Sequence, residues 1–169
     1  MTGYRDMRTN TLKLIAIATL AALATAFTLV ATSGAHKRPG HNNSLAAQLR
    51  GSEEVPGPGD PDGRGRAHIE LLPGFGAVCF LLDWRNIGEP LTGAHIHEGR
   101  RGQAGDIVVG LFTPSNVREK GCVEGVDPAL IRRIRRNPRA FYVNIHNAEF
   151  PNGAIRGQLR RTGRHFGHR

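Results

Sequence analysis

Two histidines separated by one residue, His95-Ile96-His97, stand in an alternating apolar pattern in this chain. In an extended strand residues i and i+2 share a face, so both imidazoles point the same way, roughly 7 Å apart, while Ala94 and Ile96 point the other. That spacing can chelate a metal. Imidazole suits zinc or copper, and a third ligand from a neighbouring strand would complete a site with one position left open. His146, in Phe141-Tyr142-Val143-Asn144-Ile145-His146, is the natural third ligand, and Glu98, Glu54 or Asp106 can add an oxygen. A pair of histidines at this spacing equally serves a β domain by hydrogen-bonding carbonyls or carboxylates, and both readings stand at this level. The other histidines, His36, His41, His68, His165 and His168, fall mostly in tails.

Other chemistries find less material. The serines are Ser33, Ser44, Ser52 and Ser115, none of them in G-x-S-x-G. No dinucleotide fingerprint, P-loop or C-x-x-C pair occurs. A net charge of +9 favours anionic partners, such as an envelope polymer or an acidic extracellular ligand. Aromatic content of 6% and the lack of any nucleic-acid module argue against nucleic acid.

The elements that must position these residues lie in one domain. Of 169 residues, the first thirty-five read as a signal peptide. Arg5, Arg8 and Lys13 precede an apolar stretch from Leu14 to Ala31, and Ser33-Gly34-Ala35 supplies small residues for cleavage. If the segment is not cut, residues 14–31 anchor the chain in a membrane with the domain facing outside. Residues 36–43 make a polar linker, 44–162 the domain and 163–169 a basic tail. Cys79 and Cys122 fall in the exported part, where an even pair closes as a disulfide; two buried thiols are the alternative.

Apolar residues at 39%, with 22 glycines and 10 prolines, fit a turn-rich globular domain, and the short strand patterns along it make that domain all-β and antiparallel, with one short helix. A first strand runs over Leu45, Ala47 and Leu49, and Gly51 to Arg66 reads as loop. Ala67–Leu72 and Ala77–Trp84 form a hairpin around Pro73-Gly74-Phe75-Gly76, and Thr92–His97 and Ile107–Phe112 bracket a basic loop. One short helix begins at Asp127 as N-cap with Pro128 in its first turn, carries Leu130, Ile131 and Ile134 as its apolar stripe, and stops at Asn137-Pro138. Its arginines at 132, 133, 135 and 136 form a solvated face. The last hairpin is predicted to turn at Pro151-Asn152-Gly153, pairing Ile145 with Leu159 and His146 with Gln158, although Glu149 then falls on the apolar side. Its second face carries Tyr142, Asn144, His146, Arg156 and Gln158, an unusual density of directed polar groups.

Three segments together carry a family likeness: Leu49-Arg50-Gly51-Ser52-Glu53-Glu54-Val55-Pro56, Gly93-Ala94-His95-Ile96-His97-Glu98-Gly99, and Phe141 to His146 running into Phe150 to Leu159. In this order they resemble the CHRD domain, named after chordin, in a free-standing secreted form. The resemblance implies a single secreted β-sandwich or barrel-like domain, and Cys79 and Cys122 look like the cysteine pair of many members. It marks His95, His97, Asn144, His146, Arg156 and Gln158 as the candidate site and implies no catalytic residue. Nothing here resembles chordin's cysteine-rich modules, so its role as a growth-factor antagonist does not carry over. The expectation is therefore a secreted, non-enzymatic binding or structural module with a polar histidine face. Its alternative is a metal-binding protein or metalloenzyme using His95, His97 and His146 with zinc or copper.

Overall fold

The computed structural model describes residues 43–162. The segment expected to be a leader or anchor, nearly all of the expected polar linker and the 163–169 tail lie outside the described residues. Nine strands and one α-helix follow in order. They are β1 (Ser44–Arg50), β2 (Arg64–Leu72), β3 (Ala77–Arg85), β4 (Leu91–Glu98), β5 (Ile107–Phe112), β6 (Lys120–Val123), α1 (Pro128–Arg136), β7 (Phe141–Asn147), β8 (Ile155–Gln158) and β9 (Arg160–Arg161). The strands pair antiparallel in the order β5-β4-β7-β8-β1-β2-β3-β6, with β9 added to β1. The two end strands, β5 and β6, come near each other, so the sheet is a nearly closed barrel with a single helix against it.

Alternation builds the core. Leu45, Ala47 and Leu49 of β1, Ala67, Ile69 and Leu71 of β2, Ala94 and Ile96 of β4, and Val143 and Ile145 of β7 all point inward and are buried. The helix forms as its sequence predicts. Asp127 accepts a hydrogen bond from the Ala129 N–H at 2.8 Å, Pro128 occupies the first turn, and Ile131 and Ile134 are fully buried beneath it.

The last hairpin departs from its expected register. Ile145 pairs with Ile155, Asn144 with Arg156 and Tyr142 with Gln158, four places from the predicted alignment. Pro151 does open a turn, with the Gly153 N–H donating to the Phe150 carbonyl at 3.0 Å. That turn is only the tip of a wider loop. Asn147, buried at the end of β7, accepts from the Phe150 N–H at 2.7 Å and donates to the Gly88 carbonyl at 3.1 Å, which turns the chain out of the ladder early. The loop is held by a tertiary contact, the Asp60 N–H donating to the Ala154 carbonyl at 2.9 Å, that no local pattern announces. An even slip leaves every side chain on its predicted face, and Glu149 leaves the strand altogether.

Other differences are smaller. β2 begins at Arg64, within the segment expected to be loop, and Gly51–Glu53 forms a turn of 3-10 helix. The short strand β6 has no clear sequence pattern. It is fixed opposite β3, where Cys79 and Cys122 are register partners and are joined by a disulfide.

Closure between β8 and β1 needs a glycine. A Cβ at Gly157 would lie 2.0 Å from the Gln48 carbonyl oxygen, whereas one at Gly110 on β5 meets nothing within 4 Å. Gly157→Ala is expected to cost about 1–3 kcal/mol or more through forced backbone separation, and Gly110→Ala to be near neutral. Urea unfolding followed by the fluorescence of Trp84 checks both.

Candidate functional site

The outer face of β4, β7 and β8 is largely covered, with His95, His146 and Gln158 half-buried. Cross-strand pairing sets His95 beside Asn144 and Asn144 beside Arg156 in one row, and His97, Tyr142 and Gln158 in the next. His146 faces Gly93 one step further along. The segment from Gly99 to Gly105 folds over these rows, and residues 51–60 and 150–154 close the sides. As a result Asn144 and Arg156 are only 2% and 1% exposed although they lie outside the hydrophobic core.

Arg156 fastens this cover. Its Nη2 donates to the Arg100 carbonyl at 2.9 Å and to the Gln103 carbonyl at 2.7 Å, and its guanidinium lies 3.4 Å from the centre of the Tyr142 ring. Gln158 does similar work. Its Nε2 donates to the carbonyls of Gly99, Arg139 and Phe141 at 2.6, 2.9 and 2.9 Å. Both residues thus hold loop backbone rather than the histidines themselves.

The three histidines meet. One ring nitrogen from each of His95, His97 and His146 lies within 4.8 Å of those of the other two. His97 Nδ1 is 2.8 Å from the Gly105 carbonyl, and His146 Nδ1 is 3.0 Å from the Pro151 carbonyl. A carbonyl can only accept, so in each neutral ring Nδ1 carries the proton and Nε2 presents its lone pair. Both Nε2 atoms, and His95 Nδ1, are buried without a hydrogen-bond partner. Such orphan acceptors in a closed polar site are costly unless something binds them. His97 is also stacked on Tyr142, with ring centres 4.7 Å apart and planes 6° from parallel, which fixes its orientation.

Electrostatics keep the rings neutral. Burial pushes His95 down to about 4, and the neighbouring His146 and His97 add to the effect. Burial also lowers His97 and His146, partly offset by the Gly105 and Pro151 carbonyls. Neutral imidazole is the form that ligates a metal.

The three carboxylates considered as oxygen donors do not join the cluster. Glu98 turns away and pairs with Arg133, because its position after His97 in the alternation puts it on the opposite face. Asp106 is exposed at the end of the covering loop. Glu54 is buried against Gly153, where a Cβ would fall 2.4 Å from its carboxyl carbon, and one of its oxygens has no partner. Burial pushes its carboxyl up to about 8 despite the attraction of Arg156. Tyr142 was legible as a member of the polar face, but its stacking role was not.

The family model of the CHRD domain matches residues 45–159. The chain belongs to the CHRD family. That match spans β1, from its second residue, through β8 and all seven residues of the polar face, Tyr142 included. No curated protein and no solved structure matches the chain. The CHRD domain is an extracellular type of module, and the disulfide between Cys79 and Cys122 is consistent with that location.

Glu54 gives the site a pH signature. Its carboxyl titrates near 4.5 when unfolded and near 8 when folded, so the folded state holds the extra proton between those values. Stability from this group is present in full below pH 4.5 and is lost as pH rises towards 8. In Glu54→Gln that loss is expected to disappear, leaving the variant relatively more stable than the parent at pH 8 than at pH 5. Urea midpoints measured across this range test it.

Proposed function

We propose that this CHRD domain is an exported, non-enzymatic binding module whose built feature is a metal site, with His95, His97 and His146 as ligands to zinc or copper. The observation that carries the reading is the convergence of three imidazoles, each of which also has a buried ring nitrogen without a hydrogen-bond partner. Two of the three rings have their outer nitrogen tied to a backbone carbonyl, the arrangement that orients a ligating histidine and selects its tautomer. Three neutral nitrogen donors suit zinc or copper better than calcium or magnesium, which take oxygen.

Export is part of the same proposal. The basic start, the apolar stretch over 14–31 and the small residues at 33–35 support a leader, cleaved or kept as an anchor. Arg156 and Gln158 are assigned to holding the cover, and Asn144, whose Oδ1 is buried without a partner, to the wall of the site.

Metal content by mass spectrometry on the purified full chain, after exposure to zinc or copper and removal of excess, tests the reading. One equivalent is expected in the parent and none in His95→Ala/His97→Ala. Excess metal at about 100 times its Kd should also stabilise the parent by about 2.7 kcal/mol and leave the variant unmoved. No bound metal in a folded parent would assign the three histidines to the fold alone.

A further inference from the structure

A row of arginines crosses four neighbouring strands. Arg85 of β3 stands opposite Arg64 of β2, Arg64 opposite Arg50 of β1, and Arg50 opposite Arg156 of β8. Register partners share a face and lie about 4.8 Å apart, and like charges set directly opposite each other destabilise a sheet. The usual remedy, an acid interposed in the row, is missing. Among the described residues the ion pairs are Arg101 with Glu53 and Arg133 with Glu98, so no carboxylate is paired with Arg50, Arg64 or Arg85.

The row also borders empty space. A cleft of about 410 Å³ is lined by Arg50, Arg64, Arg66 and Arg85, with Asp83 as its acidic member. A second, of about 800 Å³, shares Gln48 and Arg50 with the first and adds Arg100, Arg101, Arg139 and Arg160, with Glu53, paired to Arg101, as its acidic member. The two therefore adjoin along β1 and form one elongated basic groove. A fold that keeps unrelieved repulsion along a groove is holding charge for something that will neutralise it.

We propose that this groove is a binding track for a linear polymer carrying sulfate or phosphate groups. Its length, with charges repeating from strand to strand, suits a chain rather than a single ion. A tetrahedral sulfate or phosphate group offers two or three acceptor oxygens, spread out of one plane, that two neighbouring guanidiniums can share, whereas a planar carboxylate is satisfied by one arginine fork. The choice of arginine fits this, since its planar donors match oxyanions where lysine offers a point charge. No aromatic side chain lines either cleft, so the groove has no platform on which nucleic-acid bases would stack. The track borders the cover of the histidine cluster, sharing Arg100 and Gln158 with it, and does not depend on metal.

Binding of the full chain to fluorescent dextran sulfate, to polyphosphate and to single-stranded DNA of similar charge tests the proposal. The comparison is between the parent, Arg50→Gln/Arg85→Gln, and a control of equal charge loss on the helix, Arg132→Gln/Arg136→Gln. All four positions are exposed. Dextran sulfate or polyphosphate is expected to bind at least fivefold more weakly to the groove variant and within twofold of the parent to the control, and whichever polymer binds tighter tells sulfate from phosphate. Equal losses in both variants would reduce the effect to net charge and overturn the proposal. So would single-stranded DNA binding tighter than both polymers, which would make the track a nucleic-acid surface.

Discussion

A guanidinium taken out of water must find partners for its N–H groups, and the site depends on how Arg156 meets that demand. Its position is fixed by pairing with Asn144 and Arg50, in the middle of the sheet. Among the described residues no carboxylate lies within ion-pair distance, so its Nη2 takes carbonyls from Arg100 and Gln103 while Nη1 stays buried without a partner, and those carbonyls belong to the segment that covers the histidines. Removing one partner of such a buried charge leaves it uncompensated, a larger loss than the pair contributes while intact. The same segment supplies the Gly105 carbonyl that sets the tautomer of His97. Burial of one cation, order in one loop and the proton position on one imidazole are thus a single linked arrangement.

This linkage explains why a polar site can lie outside the hydrophobic core without being open. The inward face of β4 and β7 is aliphatic and closes the barrel, and the outward face is buried a second time by loops that contribute backbone rather than apolar side chains. Backbone carbonyls suit neutral imidazole because they can only accept. The low solvation that pushes the histidines towards neutrality and the carbonyls that orient them both come from the cover.

Much of this was legible in the sequence, and the reason is parity. His95 with His97, and Asn144 with His146, share faces whatever their partners, so the polar face survived a hairpin register that was wrong by four places. The helix was legible because its cap, its proline and its stripe are local. What the sequence pattern missed is uniformly non-local. The wide loop after Asn147 rests on contacts with Gly88 and residues 54–60, β6 is set by its disulfide partner, and the neutral Glu54 is a product of burial among loops. Glu98 shows the complementary error, since chemistry made it attractive as a ligand while alternation had already turned it away.

Core and site are also written in one reading frame. Along β7 the aliphatic Val143 and Ile145 interleave with Asn144 and His146, and along β4 Ala94 and Ile96 interleave with His95 and His97. Deleting a single residue inside either strand would carry imidazoles into the barrel and aliphatic side chains out to the cover at the same stroke. Insertions and deletions within these strands are therefore costly unless a bulge absorbs them, as one does between Leu91 and Gly93, so substitution is the easier way for descent to vary the face. The loops carry no such frame, which leaves them as the places where members of the lineage can differ in length.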